Sequence, residues 1–135
     1  MRIAVIDGQG GGIGKYVIDR LRKELPEDLE ILALGTNALA TAAMLKAGAD
    51  EGASGENAIS FNAGRVDLIV GPIGIIIANA MLGEVTPKMA TAVSNSYAHK
   101  ILLPVTRDDL EIAGYNSEPL PHLISDLIKR VKERI

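Results

Sequence analysis

Ile3-Ala4-Val5-Ile6-Asp7-Gly8-Gln9-Gly10-Gly11-Gly12-Ile13-Gly14-Lys15 is the stretch from which the rest of the chain can be read. Ile3 to Ile6 is a short apolar run bounded by turn residues, the pattern of a strand buried on both faces. Five of the seven residues from Gly8 to Gly14 are glycine: Gly8, Gly10, Gly11, Gly12 and Gly14. Glycine reaches positive φ and lets another group come close to the backbone. The helix that follows presents free N–H groups and the positive end of its dipole, which suit a phosphate or carboxylate. One or two glycines are enough for a tight strand-to-helix turn. Five favour an anion cradle built from Gly8, Gln9, Gly10, Gly11, Gly12, Ile13 and Gly14. Lys15 reads equally well as a phosphate contact or as a solvated lysine of the first turn.

Three nucleotide-binding patterns can be laid on this turn. G-x-G-x-x-G started at Gly8 needs a glycine where Ile13 stands, and fails. G-x-x-x-G-x-G fits Gly8, Gly12 and Gly14 and resembles the cofactor turn of short-chain dehydrogenases. The Tyr-x-x-x-Lys catalytic pair of that family is absent: Arg20, Ile101 and Pro119 stand four places after Tyr16, Tyr97 and Tyr115. Gly11-Gly12-Ile13-Gly14-Lys15 is similar to the deviant P-loop of partition-type ATPases. There Gln9 replaces the first glycine and Tyr16 the Mg²⁺-binding hydroxyl.

The whole chain sets further bounds. At 135 residues it is read as one domain, 1–135, with 47% apolar residues and few aromatics for an aliphatic core. A net charge of −3 argues against a basic nucleic-acid-binding surface. There is no cysteine, which excludes disulfides and thiolate metal sites. His99 and His122 have no partner at metal-binding spacing, and no metal site is expected. The chain opens on a strand without a signal-peptide pattern and has no apolar run of bilayer length. A cytoplasmic protein of bacterial type, with no membrane partner, is expected.

Downstream, the pattern alternates strand and helix. Ile13, Val17, Leu21 and Leu25 recur at helical spacing, and Pro26 ends that helix. A second strand, Glu30 to Leu34, runs into Gly35-Thr36-Asn37. Thr36 or Asn37 can cap an alanine-rich helix over 38–47, and both are counted as candidate ligand contacts as well. No acidic residue closes this strand to hold a ribose, and no arginine is present for a 2′-phosphate. Residues 49–56 read as a polar, glycine-rich loop, with a short helix available over 56–63. A third strand, Val66 to Val70, leads to a second glycine-bearing turn, Gly71-Pro72-Ile73-Gly74. Parallel strands end together, so Gly71, Pro72 and Gly74 should form a cleft with the first turn. Ile75 to Ile77 begin a short apolar helix carrying Asn79. Thr86-Pro87 opens another helix, and Glu84 lies just outside it as a carboxylate without a local partner. Lys100 to Leu103 is a fourth strand. Leu110 to Gly114 reads as a fifth, joined across 106–109 by a link too short for a parallel crossover, hence an antiparallel edge strand. The last helix follows Pro119 and Pro121, with Leu123, Leu127 and Val131 on its apolar face and a basic end.

From end to end, D-G-Q-G-G-G-I-G-K, L-G-T-N-A, M-L-K-A-G-A, G-P-I-G-I and M-L-G-E-V-T-P resemble a family of short bacterial α/β proteins of unknown function. The resemblance implies a Rossmann-like fold and supplies no activity. The expected fold is a three-layer α/β/α sandwich with a mostly parallel sheet of about five strands. Its order should be flavodoxin-like, 2-1-3-4 with an added edge strand, or minimal Rossmann-like. The preferred function is a binding or regulatory module for a phosphate-bearing small molecule, with a nucleotide or NAD(P) as the candidate cofactor. A small NAD(P)-dependent oxidoreductase or nucleotide hydrolase is one alternative. The other is a homo-oligomeric scaffold whose glycines only pack and whose segment Ile75 to Leu82 makes a subunit contact.

Overall fold

The computed structural model describes residues 1–105 and 109–135. Among these residues five strands and five α-helices follow one another: β1 (Arg2–Asp7), α1 (Gly12–Glu24), β2 (Glu30–Gly35), α2 (Ala38–Lys46), β3 (Glu51–Ser54), α3 (Glu56–Asn62), β4 (Leu68–Pro72), α4 (Pro87–Asn95), β5 (His99–Leu103) and α5 (Leu120–Lys132). A 3₁₀ turn, Ile73–Ile76, stands where the short apolar helix was expected. The sheet order is β3-β2-β1-β4-β5, and every pairing is parallel.

The four strands read as central apolar runs lie in the expected relative order, 2-1-3-4. The edge is different. Leu110 to Gly114 is not a strand, and Leu110 and Ile112 are more than a third exposed. The fifth strand is β3, inside the stretch read as a loop. It adds at the opposite edge by pairing Leu32 with Glu51 through Gly35 with Ser54. The arrangement is therefore the minimal Rossmann-like one, without an antiparallel edge among the described residues. The link across 106–109 falls largely on residues outside those described.

Alternation along the strands decides the layers, because successive side chains point to opposite faces. Ile3 and Val5 of β1 pack with Val17, Ile18 and Leu21 of α1, Met44 of α2, and Ile124, Leu127 and Val131 of α5. Ala4 and Ile6 face the other way, onto Ile59 of α3 and Met89 and Val93 of α4. Burial on both faces explains why β1 and β4 are continuous apolar runs.

Chain direction locates the site. From β1 the chain moves through α1 to β2 and then β3 on one side. It then crosses back through α3 to β4 on the other side of β1. The connections diverge at the carboxyl ends of β1 and β4, and ligands of open parallel sheets bind at such a divergence.

Candidate functional site at the β1–β4 divergence

A cleft of about 550 Å³ opens there, within the usual range for a small-molecule site. Its floor is Asp7, Gly8, Gln9, Gly10, Gly11, Gly12 and Ile13; Pro72 and Gly74 form the β4 side, and Met81, Leu82 and Val105 the apolar rim. The two glycine-bearing turns are thus brought together as expected. Gly14, Lys15, Thr36, Asn37 and Gly71 stand outside the lining. Lys15 is exposed on the first turn of α1.

Two carboxylates that the local sequence did not assign organise the floor. Asp7 is only 4% exposed. Its Oδ1 accepts the Gly8 N–H at 2.8 Å and its Oδ2 the Gly14 N–H at 2.7 Å. The α1 N-cap is Gly11, which has no side chain, and no acidic residue lies in the helix's first turn. Asp7 therefore brings from the strand end the negative charge that a helix start favours. Burial pushes the Asp7 carboxyl above its ordinary range, against the pull of the Gly14, Gly8 and Ile13 amides, and the nearby Glu84 charge adds to the rise.

Glu84 reaches in from the segment before α4. Its Oε1 accepts from the Gln9 N–H at 2.8 Å, the Thr36 hydroxyl at 2.7 Å and the Asn37 amide at 2.9 Å. Burial would raise its carboxyl, but these donors outweigh it and hold the group below the ordinary range. Asn37 also caps α2, its Oδ1 accepting the Ala40 N–H at 2.9 Å, and its side-chain amide donates to the Gln9 carbonyl at 3.0 Å. The capping role read for Asn37 is thus observed, and both polar residues after β2 are engaged within the chain.

These bonds reduce the expected cradle. The Gly8 and Gly14 amides belong to Asp7, the Gln9 amide to Glu84, and the Gly11 amide to the Gly8 carbonyl at 2.9 Å. Among the described residues, the amides of Gly10 and Gly12 meet no protein acceptor.

Space sorts the same glycines. A Cβ on Gly8 would stand 2.6 Å from the Met81 sulfur and the Thr36 hydroxyl, and one on Gly14 3.0 Å from the Asp7 Cβ. Gly11 has φ +73° and would place a Cβ 2.9 Å from the Ala40 backbone, where α2 crosses the turn. Packing requires these three. At Gly10 and Gly12 a Cβ would meet nothing within 4 Å, and neither has a positive φ. No contact among the described residues asks for glycine at either position.

The rim comes from an unusual segment. Asn79, Met81 and Leu82 have φ of 67°, 59° and 58°, a left-handed region that non-glycine residues seldom adopt. Backbone bonds hold the shape: the Asn79 N–H donates to Val85 O at 2.7 Å, Val85 to Ala80 at 3.1 Å, and Gly83 to Asn79 at 3.0 Å. Strain of this kind gathers at ligand clamps. The segment expected to offer a subunit contact turns Ile75 and Ala80 inward, each 1% exposed, and leaves Leu82 at 97% beside the cleft. Periodicity could not have signalled Met81, Leu82 or Val105, since none belongs to a helix or strand. Among the described residues, no group of three or more His, Asp or Glu is placed to hold a metal ion. No helix among them is long and apolar enough to cross a membrane.

The chain belongs to the family described as Domain of unknown function (DUF3842), matching it over residues 2–135. No curated protein matches it. Among solved structures, it is similar to a dodecameric FMN-dependent UbiX-like decarboxylase from Escherichia coli O157:H7. Identity is 13% and the TM-score 0.45, with 99% of this chain and 94% of that one covered.

Proposed function

We propose that the chain is a binding or regulatory module for a small molecule carrying a phosphate group, seated in the cleft against the amides of Gly10 and Gly12. One observation carries this reading. Both glycines line the cleft with amides that, among the described residues, have no partner, and neither is required there by packing or by its backbone angles. A Cβ there would meet no neighbour among the described residues, yet it would stand where a ligand has to approach the backbone. The dipole of α1 points the same way, partly offset by Asp7.

Thermal unfolding of the wild type and Gly12→Leu, each with inorganic phosphate, nucleotides, NAD and NADP, tests the reading. The unliganded midpoint of Gly12→Leu should equal or exceed that of the wild type, because leucine is the better helix former. Its ligand-induced rise should disappear. Equal rises in the two proteins would place the ligand elsewhere.

A further inference from the structure

We infer that Glu84, which stands against the cleft's floor at Gln9 rather than in its lining, is the acid that takes up hydroxyls there, so that the ligand is a nucleoside phosphate with free ribose hydroxyls rather than a bare phosphate compound. The inference rests on the phosphate seat proposed at Gly10 and Gly12. In Rossmann-like folds a carboxylate at the end of the second strand accepts the ribose hydroxyls. Here β2 ends in Gly35-Thr36-Asn37 and offers none. The structure fills that place from 47 and 48 residues away: Glu84 lies on Thr36 and Asn37 and also on the backbone of Gln9.

Three features suit the task. All three donors fall on Oε1, which fixes the carboxylate and leaves Oε2, with no partner among the described residues, to accept from a ligand. The group stays ionised near neutrality, because those donors overcome its burial. An ionised carboxylate only accepts, and a vicinal diol supplies the donors it needs. Gln9, whose amide holds Glu84, directly precedes Gly10, whose amide meets no acceptor among the described residues. Anion seat and hydroxyl acceptor are therefore about one residue apart along the turn, within the span of a single phosphorylated sugar. Pro72, Met81, Leu82 and Val105 give the remaining surface an apolar character that fits a nucleobase.

Isothermal titration of the full chain with pyrophosphate, ribonucleoside 5′-diphosphates and their 2′,3′-dideoxy forms tests the assignment. Charge-assisted hydrogen bonds to the diol should make the ribonucleotides bind about tenfold or more tightly than the dideoxy forms. In Glu84→Gln that gap should collapse while pyrophosphate affinity stays within about twofold. Equal affinity of ribo and dideoxy ligands for the wild type would overturn the hydroxyl role and leave the phosphate seat standing. A gap that survives in Glu84→Gln would overturn it too. Failure of pyrophosphate and all the diphosphates to bind would remove the seat itself. Should Glu84→Gln fail to fold, the two ligand series on the wild type decide the matter alone.

Discussion

The turns after β1 and β4 look alike in sequence, and in the folded chain they do opposite things. Gly71 lies against the central strand, where an added Cβ would fall inside contact distance of the Ile6 carbonyl oxygen. Gly74 is buried in the 3₁₀ turn. At Gly71 the β4 turn is closed, because the backbone of β1 already occupies the space a side chain would need. In the β1 turn, Gly11 is equally confined, under α2, while Gly10 and Gly12 face open space. A glycine's role is thus set by what its missing side chain would touch, not by how many glycines stand beside it.

That contrast can be attacked directly. Gly71→Ala should be the most damaging change, costing about 4 kcal/mol or more, since two paired strands would have to separate; urea unfolding measures it. If Gly71→Ala unfolds like the wild type, the closed description of the β4 turn is wrong. Glu84→Gln comes next. It weakens three charge-assisted bonds at once, and a loss of about 1–2 kcal/mol near pH 7 is expected. The sign with pH follows from a folded-state pKa held below the ordinary value of a glutamate carboxyl. The carboxylate's contribution is complete above that ordinary value and is lost as pH falls through the lower folded value. Unfolding curves of wild type and variant should therefore converge in acid, and a gap that widens there would contradict the hydrogen-bonded arrangement. Gly10→Ala should have the smallest effect, within about 0.5 kcal/mol by the same measurement. A large loss at Gly10 would mean that the open half of the turn is as confined as the other.

The framework was legible because it rests on local pattern. Ile3 to Ile6 show a strand buried on both faces, and Ile13, Val17 and Leu21 show a helix with one apolar side. The edges were not legible. Glu51-Gly52-Ala53-Ser54 carries no apolar run, because an outer strand with mostly exposed side chains is held by its hydrogen bonds to β2 rather than by burial. Leu110-Glu111-Ile112 alternates as a strand does, yet no neighbour pairs with it among the described residues. The floor of the site was legible in outline and wrong in its supply of amides. Asp7 sat in the quoted stretch, but its bond to Gly14 depends on how tightly the turn curls. Glu84 meets Gln9 across 75 residues, a proximity that only the completed fold creates.

The cleft joins two parts of different mechanical character. Its base hangs from a strand clasped on both sides, so its shape is inherited from the middle of the sheet and cannot drift independently of it. Its rim is a short excursion that packs Met81 partly against the core and leaves Leu82 almost wholly exposed. A protein built in this way can exchange an outlying rim residue such as Leu82 while the base, and the stability invested in it, stays as it is.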